Sequence, residues 1–208
     1  MIGIRSRFNI APGSQVPVIT RADTNRMVMM EWGLPLRGVR DMKQARPVIN
    51  ARAETLSEKP AFSSLIKSRR CLIPASGFFE WKNDGREKIP FYIRLCDNPL
   101  FSFAGLYDVR HDPAGRPHYR CTIITTEPNE QMAQIHNRQP AILKMEDEDR
   151  WLSPDLSDPG FFPPMLAPYP SGTMVIEPVS PLVNNPSIDD ERVIRPVHIR
   201  DRPTTLDV

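Results

Sequence analysis

Short apolar runs separated by polar turns fill the middle of the chain and predict β-strands. The runs are rich in Phe, Tyr, Ile and Thr, and clusters of Asn, Asp, Gly and Pro separate them at 83–85, 97–99 and 112–115. The predicted strands are residues 71–73 with 77–81, 90–95, 100–109 and 119–126. Because short polar turns join three consecutive strands, an antiparallel meander is expected.

Further elements flank this central region. Residues 27–32 form an apolar run that indicates a buried strand, and residues 174–179 form the last strand. In residues 60–68 apolar side chains recur at helical spacing, and a second helix is predicted to open at Pro128. Four consecutive acidic residues, 146–149, predict the first turn of a third helix, where the helix dipole favours negative charge.

The length of 208 residues fits a single domain, and 23 prolines favour short elements over long helices. Residues 153–171 are rich in proline and predicted to be irregular. We therefore expect one α+β domain over residues 1–185, with a mostly antiparallel or mixed, barrel-like β-sheet core and a few short helices. The polar and charged residues 186–208 predict a loosely held C-terminal tail.

Net charge and cysteine usage narrow the function classes. The formal charge is only +2, so any nucleic-acid role needs a local basic surface. No apolar run approaches the roughly 18 residues of a membrane span, and we expect a cytoplasmic protein. Cys71, Cys96 and Cys121 form no CxxC pair, which argues against a disulfide framework and a structural zinc site. We expect all three to be small buried hydrophobic residues.

A first candidate for chemistry is the segment 49–54. In an extended chain, Asn50, Arg52 and Glu54 share one face, and the two alanines between them share the other. A face with an amide, a guanidinium and a carboxylate suits a phosphate or a polar substrate. The alternative is a solvent-facing strand edge with a local Arg–Glu pair.

A second candidate is Glu80, which lies between Phe79 and Trp81 in an apolar setting. Apolar neighbours raise the pKa of a carboxyl and make it usable as a general acid or base. Alternatively, strand alternation places the two rings inward and Glu80 outward in water.

A third candidate is His136, which comes just after a predicted helix end. An imidazole there can act as an acid or base near neutral pH, or it can cap the helix C-terminus. The sequence has no Ser-His-Asp order, no phosphate-binding glycine loop and no metal-ligand spacing.

These motifs, in this order and with these gaps, resemble the SOS-response-associated peptidase family, whose members process abasic sites and shield damaged single-stranded DNA. The similarity spans about residues 7–185. The matching segments are 7–13, 32–34, 49–55, 71–81, 135–140, 178–180 and 183–185.

The resemblance implies a covalent chemistry. In the family, an N-terminal cysteine attacks the ring-opened aldehyde of an abasic site, and its α-amine and thiol close a thiazolidine cross-link to the DNA. It also implies single-stranded DNA with abasic sites as the partner. We expect no metal, no small-molecule cofactor and a monomeric protein. A cytoplasmic protein of this kind would associate with the nucleoid when bound to DNA.

The resemblance also assigns roles to individual residues. Glu80 would manage protons at the amine and the aldehyde, His136 would serve acid–base steps and reversal, and Asn50 would orient the reacting groups. The expected DNA contacts are Arg52 and Arg138 to flanking phosphates, with Trp81 and Trp32 shaping the groove.

The sequence departs from the family at its start. The family begins Met-Cys-Gly-Arg-Phe, whereas this sequence begins Met1-Ile2-Gly3, and its first cysteine is Cys71. A truncated start, a natural variant that binds DNA without cross-linking, and an inactive copy are the three explanations. Two other functions stay open: a peptidase that removes its own leader, and a single-stranded DNA-binding module without chemistry.

Overall fold

A β-barrel forms the centre of the molecule, in a computed structural model that describes residues 5–35, 47–85, 87–156 and 159–198. The strands of the described residues are β1 (Gln15–Arg21), β2 (Asn25–Trp32), β3 (Asn50–Arg52), β4 (Arg70–Ala75), β5 (Phe78–Asn83), β6 (Lys88–Leu95), β7 (Phe101–His111), β8 (Pro117–Thr126), β9 (Gln139–Pro140), β10 (Ile142–Leu143) and β11 (Met174–Pro178). Strands β4, β1, β2, β8 and β7 pair in that order, and β7 pairs again with β4 to close the ring. Strand β8 also pairs in parallel with β2 and β3. The expected α+β domain with a mixed, barrel-like sheet is confirmed.

Strands β5, β6 and β11 form a separate three-stranded sheet, in the order β11–β6–β5, against the barrel. One face of this sheet places Phe78, Phe91 and Ile93 among the buried side chains of the barrel. The expected meander is wrong, because β7 is paired with β4 on one edge and β8 on the other, which leaves no edge for β6. Strand β6 pairs instead with β5 and β11.

Strand β2 is buried on one face only, whereas the sequence predicted a fully buried strand at 27–32. Met27 and Met29 are 40% and 37% exposed, whereas Met30 is fully buried. A barrel strand presents one face to the core, so alternate residues point outward. The sequence reasoning also missed β1, although Val16 and Val18 alternate inward there.

Short helices cover the barrel: α1 (Pro60–Ser63), α2 (Leu65–Ser68), α3 (Met145–Leu152) and α4 (Phe162–Met165). The prediction over 60–68 is confirmed as two consecutive helices, and the acidic first turn belongs to α3. The helix predicted to open at Pro128 is wrong. A single 3-10 turn, Met132–Gln134, replaces it, and the Asn129 side chain accepts the N–H of Met132 at 2.9 Å. None of the helices in the described residues is long and apolar enough to cross a membrane.

The segment after Pro186 is part of the fold as far as residue 198. Val193 is fully buried and packs with Val179 and Val183 against the outer face of the β5–β6–β11 sheet. The backbone N–H of Val197 donates to the carbonyl of Pro178 at 2.9 Å. The expectation of a loosely held tail is therefore wrong for residues 186–198, because a few valines among the charges supply a buried contact. Residues 199–208 lie outside the described residues.

Asn9 holds this C-terminal segment to the start of the domain. Its side-chain amide is buried and donates to the carbonyls of Val183, Asn185 and Ile188 at 3.0, 3.1 and 3.1 Å. Asp189 completes the clamp, since its carboxylate accepts the backbone N–H of Asn9 at 2.8 Å. One buried side chain therefore supplies a donor to three carbonyls of this turn.

We expect Asn9→Ala to lower the free energy of unfolding by about 2 kcal/mol, because it removes the side-chain donor to the carbonyls of Val183 and Ile188. Urea denaturation measures this loss. Asn9→Asp is the sharper variant, since at neutral pH it points a carboxylate at the carbonyl oxygens of the turn and should cost more than alanine. Equal stability of Asn9→Asp and the wild type would contradict the clamp.

The cysteines divide between core and surface. Cys71 and Cys121 are buried, and Cys96 is exposed, so the expectation of three buried residues is wrong for Cys96. All three are free thiols. Burial raises the pKa of Cys121 to about 12 and raises the pKa of Cys71 well above its ordinary value, where the neighbouring Cys121 adds to the effect. Thiols held in the protonated form are poor nucleophiles, so both serve packing.

Candidate active site

Glu80 lies in the middle of β5, on the face of the sheet that looks toward the barrel. Strand alternation puts Phe78 and Glu80 on this face and Phe79 and Trp81 on the opposite one, against the C-terminal valines. The alternative expectation, with both rings inward and Glu80 outward, is wrong: the rings lie on the outer face of the sheet, and Glu80 faces the barrel. The Glu80 side chain is only 23% exposed, so it lies in a partly desolvated position and not in open water.

His136 meets Glu80 across the sheet edge, with its Nδ1 atom 3.8 Å from the carboxylate. Burial raises the pKa of Glu80 above its ordinary value, and the charge of His136 and the backbone N–H of Trp81 offset part of that rise. A carboxyl with a raised pKa retains its proton closer to neutral pH, where it can act as a general acid. Sequence positions 80 and 136 therefore converge on one acid–base pair.

The loop that carries His136 fixes the imidazole through its own backbone. Nδ1 lies 3.2 Å from both the N–H and the carbonyl of Arg138. In the tautomer that leaves Nδ1 unprotonated, this atom accepts the N–H of Arg138, and Nε2 carries the ring proton. The next residue, Gln139, is fully buried and accepts the N–H of Asn129 at 2.8 Å, which anchors the end of the loop. The imidazole itself is 41% exposed and can reach a ligand.

Arg138 joins the first and third sequence motifs. Its guanidinium donates two parallel hydrogen bonds of 2.9 Å to the Glu54 carboxylate and a third, of 2.6 Å, to the carbonyl of Thr125. This fork geometry is the strongest form of an Arg–carboxylate contact. It lowers the pKa of Glu54 even though burial of that carboxyl acts in the opposite direction. Arg138 is only 19% exposed, and these contacts fix the His136 loop to β8. Its expected contact with a phosphate stays a prediction.

Asn50 and Arg52 lie on β3 as predicted, exposed on either side of the buried Ala51. Among the described residues, neither side chain has a hydrogen-bond or ion-pair partner. Glu54 does not continue the strand, because the chain turns into a 3-10 helix at Ala53–Thr55. The expected local Arg–Glu pair is replaced by an ion pair between Glu54 and Arg138. The side chains of Asn50 and Arg52 are available to a ligand, as the ligand-binding interpretation requires.

An open groove of about 520 Å³ contains the acid–base pair. It is lined by Glu80, Trp81, Asn83, Lys88 and His136. Sequence reasoning missed two of these, although the Asn83-Asp84-Gly85 turn signal predicts that the two ends of the β5–β6 hairpin face each other, and Asn83 does pair with Lys88. The other predicted site residues lie outside this lining: Asn50, Arg52, Arg138 and Trp32. No three His, Cys, Asp or Glu side chains of the described ranges are placed to hold a metal ion.

The two tryptophans predicted to shape the groove, Trp81 and Trp32, make different contacts. The indole N–H of Trp81 donates to the Asn184 side chain at 2.9 Å, which holds the ring at the rim of the groove. The indole N–H of Trp32 donates to the carbonyl of Ile49 at 2.8 Å, and its ring packs on the barrel core. Trp32 therefore anchors the segment that enters β3. At Gly77, a Cβ atom would lie 2.4 Å from the Tyr92 ring, so glycine is needed where β5 begins.

Glu80→Gln should raise the thermal stability of the protein at pH 7–8. A carboxyl whose pKa is raised by folding stabilises the folded state below its unfolded pKa of about 4.3. That contribution is lost as the pH rises through the folded pKa, because the folded protein must then bury a charge. The gain of Glu80→Gln over the wild type should therefore grow from pH 4 to pH 8, as thermal denaturation measures. Glu58→Gln, at an exposed carboxylate, should show no such trend, and a Glu80→Gln protein less stable at every pH would contradict the desolvated carboxyl.

The fold and the site define a small β-barrel protein with a carboxyl–imidazole pair in an open groove. Residues 2–186 match the sequence profile of the family described as SOS response associated peptidase (SRAP). The chain is 45% identical over 189 residues to abasic site processing protein YoqW of Bacillus subtilis (strain 168), covering 90% of this chain and 84% of that protein. Abasic site processing protein HMCES of Gallus gallus is 28% identical, with 94% of this chain and 67% of that protein covered.

A solved structure of a protein from Bacteroides thetaiotaomicron has the same fold, with a TM-score of 0.78 and 34% identity, covering 89% of this chain and 82% of that one. This chain belongs to the SOS response associated peptidase family, and the resemblance seen in its sequence is confirmed. Its relatives are abasic site processing proteins, a class that points to a DNA-processing enzyme.

Proposed function

We propose that this protein recognises abasic sites in single-stranded DNA and that Glu80 and His136 transfer protons during attack on the lesion. The observation that carries the proposal is the pair itself, 3.8 Å apart in an open groove, with burial raising the pKa of the carboxyl. The volume of about 520 Å³ is in the range of small-ligand sites and suits a sugar that lacks its base.

The chemistry of an abasic site explains why such a pair is useful. The ring-opened sugar presents an aldehyde, which an amine attacks to give a carbinolamine. Loss of water from the carbinolamine to form an imine needs a proton donor at the departing oxygen. A protonated Glu80 supplies that proton, and His136, the more exposed of the two groups, exchanges it with solvent. We assign Asn50 the role of orienting the sugar from β3.

DNA binding would use the surfaces on either side of the pair. Arg52 is exposed on β3 and makes no hydrogen bond or ion pair with another described residue, although its charge helps to lower the pKa of Glu54, so its guanidinium is available to a backbone phosphate. Trp81, held by Asn184, offers a ring on which a neighbouring base can stack. We assign Trp32 and Arg138 an indirect role, since both hold the segments that carry Asn50 and His136.

The thiazolidine cross-link of the family requires an N-terminal cysteine. The first cysteine of this sequence is Cys71, which is buried and carries a raised pKa, so we propose the cross-link only for a chain that begins with cysteine. For the residues described, the proposal covers recognition, imine formation and proton transfer. We further propose that the protein acts as a cytoplasmic monomer on the nucleoid.

A binding experiment with four oligonucleotides tests the proposal: single and double strands, each with a natural abasic site or intact. Fluorescence anisotropy should give the tightest binding for the abasic single strand. Equal affinity for all four would overturn recognition of the lesion, and turnover of unstructured peptides that depends on Glu80 would favour the peptidase alternative.

Arg52→Ala should weaken single-stranded DNA binding and reduce the slope of log K against log salt by about 0.7, the value for one lost phosphate contact. Arg138→Ala should change this slope less, because Glu54 already binds its guanidinium. Anisotropy titrations over a series of salt concentrations measure both. Lys67→Ala removes the same charge from the exposed face of α2 and should leave the slope unchanged. A slope unaffected by Arg52→Ala would exclude this contact.

A further inference from the structure

The groove contains an amine that the acid–base mechanism does not use. Lys88 opens β6, is exposed, and lines the same groove as Glu80 and His136. It is the one lysine among the lining residues of the described chain. Neither the family resemblance nor the comparisons give Lys88 a role.

We propose that the ε-amine of Lys88 condenses with the aldehyde of the abasic site and that the resulting iminium leads to strand cleavage by β-elimination. This inference rests on the proposed function, because it needs the abasic sugar in the groove. It adds to that function a lyase activity that is independent of any N-terminal cysteine.

The geometry of the hairpin lets Lys88 and Glu80 act on one sugar. Glu80 pairs with Phe91, and Lys88 lies three residues before Phe91, which places its backbone about 10 Å away along the strand at about 3.4 Å per residue. The four-carbon stem of lysine is flexible, so the amine is not fixed at one position in the groove. Pleating puts the two side chains on opposite faces of the sheet. In the described part of the chain, however, no strand pairs with the outer edge of β5, so the groove reaches both faces around that edge.

Each step balances in atoms and electrons. The ammonium of Lys88 first gives one proton to solvent water, and the neutral amine adds to C1′. A proton from Glu80 then leaves with the hydroxyl as water, which gives an iminium. The Glu80 carboxylate, now ionised, removes a proton from C2′, and the electron pair expels the 3′ phosphate oxygen as the C3′–O bond breaks. Water then hydrolyses the unsaturated iminium and releases Lys88. The products are a strand with an unsaturated aldehyde at its 3′ end and a strand with a 5′ phosphate.

A lysine in a DNA groove can also act as a phosphate contact, and one substitution separates these roles. Lys88→Arg retains the positive charge and the reach but has no amine that condenses with an aldehyde under these conditions. If Lys88 only binds phosphate, Lys88→Arg should behave as the wild type. If Lys88 is the amine, Lys88→Arg should bind DNA normally and lose the covalent chemistry.

Borohydride trapping on an abasic single strand tests the proposal in the full chain. Reduction converts the iminium to a stable secondary amine, and proteolysis with mass spectrometry maps the attached residue. We expect the adduct on Lys88, and at least a tenfold loss of trapping and of strand cleavage in Lys88→Ala and Lys88→Arg. Lys82→Ala, on the neighbouring strand and outside the groove lining, is the matched control and should trap as the wild type.

The outcomes separate this inference from the proposed function. An adduct mapped to the chain's α-amine, with trapping unchanged in Lys88→Arg, overturns the role of Lys88 while the proposed function stands. Preferential binding of the abasic strand without any adduct also overturns the role of Lys88 and leaves lesion recognition standing. A tetrahydrofuran analogue, which has no aldehyde, should bind without being trapped. Absence of binding to every abasic strand overturns both.

Discussion

Under the proposed function, Glu80→Gln should slow imine formation on abasic single-stranded DNA by about 10²–10⁴-fold, the usual contribution of a positioned general acid. Glutamine retains the size and a hydrogen-bonding oxygen but has no proton to give to the departing water. Single-stranded DNA affinity should stay within about twofold, since the carboxyl contributes to the chemistry and not to phosphate binding. The initial rate of borohydride trapping, measured against anisotropy on the same samples, checks both parts.

Two further variants make this result specific to the pair. His136→Gln should also slow trapping, and the double variant should be no slower than the worse single one, because the two groups act as a unit. Glu58→Gln, at an exposed carboxylate outside the groove, should leave the rate unchanged. A rate for Glu80→Gln within threefold of the wild type would show that Glu80 does not transfer the proton.

The same substitution links activity to stability. Because burial raises the pKa of Glu80, the wild-type rate should fall as the pH rises through that pKa and the acid loses its proton. Over the same interval, the stability advantage of Glu80→Gln should appear. A variant that is inactive and more stable at pH 8 is the expected pattern for a desolvated catalytic group, whose position costs folding energy.

Local pattern was sufficient for most of the strands and for the two groups of the acid–base pair. Strands β4 to β8 have β-branched and aromatic runs bounded by strong turn signals, and Glu80 is a charge within such a run. The convergence of Glu80 and His136 could not follow from spacing, since 56 positions separate them; it came from the order of several motifs that resemble one family.

Pairing that depends on distant segments was not predictable. Strand β6 pairs with β11, a partner about 80 residues further along the chain, and nothing in the local turns signals that choice. The ion pair between Arg138 and Glu54 was also not predictable, because it depends on where two segments 84 positions apart lie in space. Likewise, the burial of Val193 could not be predicted from a segment of mostly polar composition, because it depends on the contacts that Asn9 makes with that segment.

Arg70 is the clearest case of a role that only the fold reveals. It is 5% exposed, and its guanidinium donates to the carbonyls of Ile66 and Lys67 at 2.6 and 2.8 Å, at the end of α2. It also donates to the carbonyls of Trp151, at 2.7 Å, and Ser153, at the end of α3. One cation thus caps two helix C-termini, whose carbonyls lack partners and carry partial negative charge.

We expect Arg70→Ala to lower the free energy of unfolding by about 3–5 kcal/mol, because it removes the guanidinium donor to four carbonyls and a ring contact with Phe162. Burial lowers the pKa of Arg70, but an arginine stays charged. A change of pH should therefore not cause the loss of unfolding free energy that Arg70→Ala causes. Arg70→Lys retains the charge without the fork and should fall between alanine and the wild type. Urea denaturation measures all three, with Arg69→Ala, which stacks on Tyr107, as a control that should cost about 1 kcal/mol or less. If Arg70→Ala and Arg69→Ala unfold at the same urea concentration, the two helix ends are satisfied by water, and Arg70 is not the residue that joins them to the barrel.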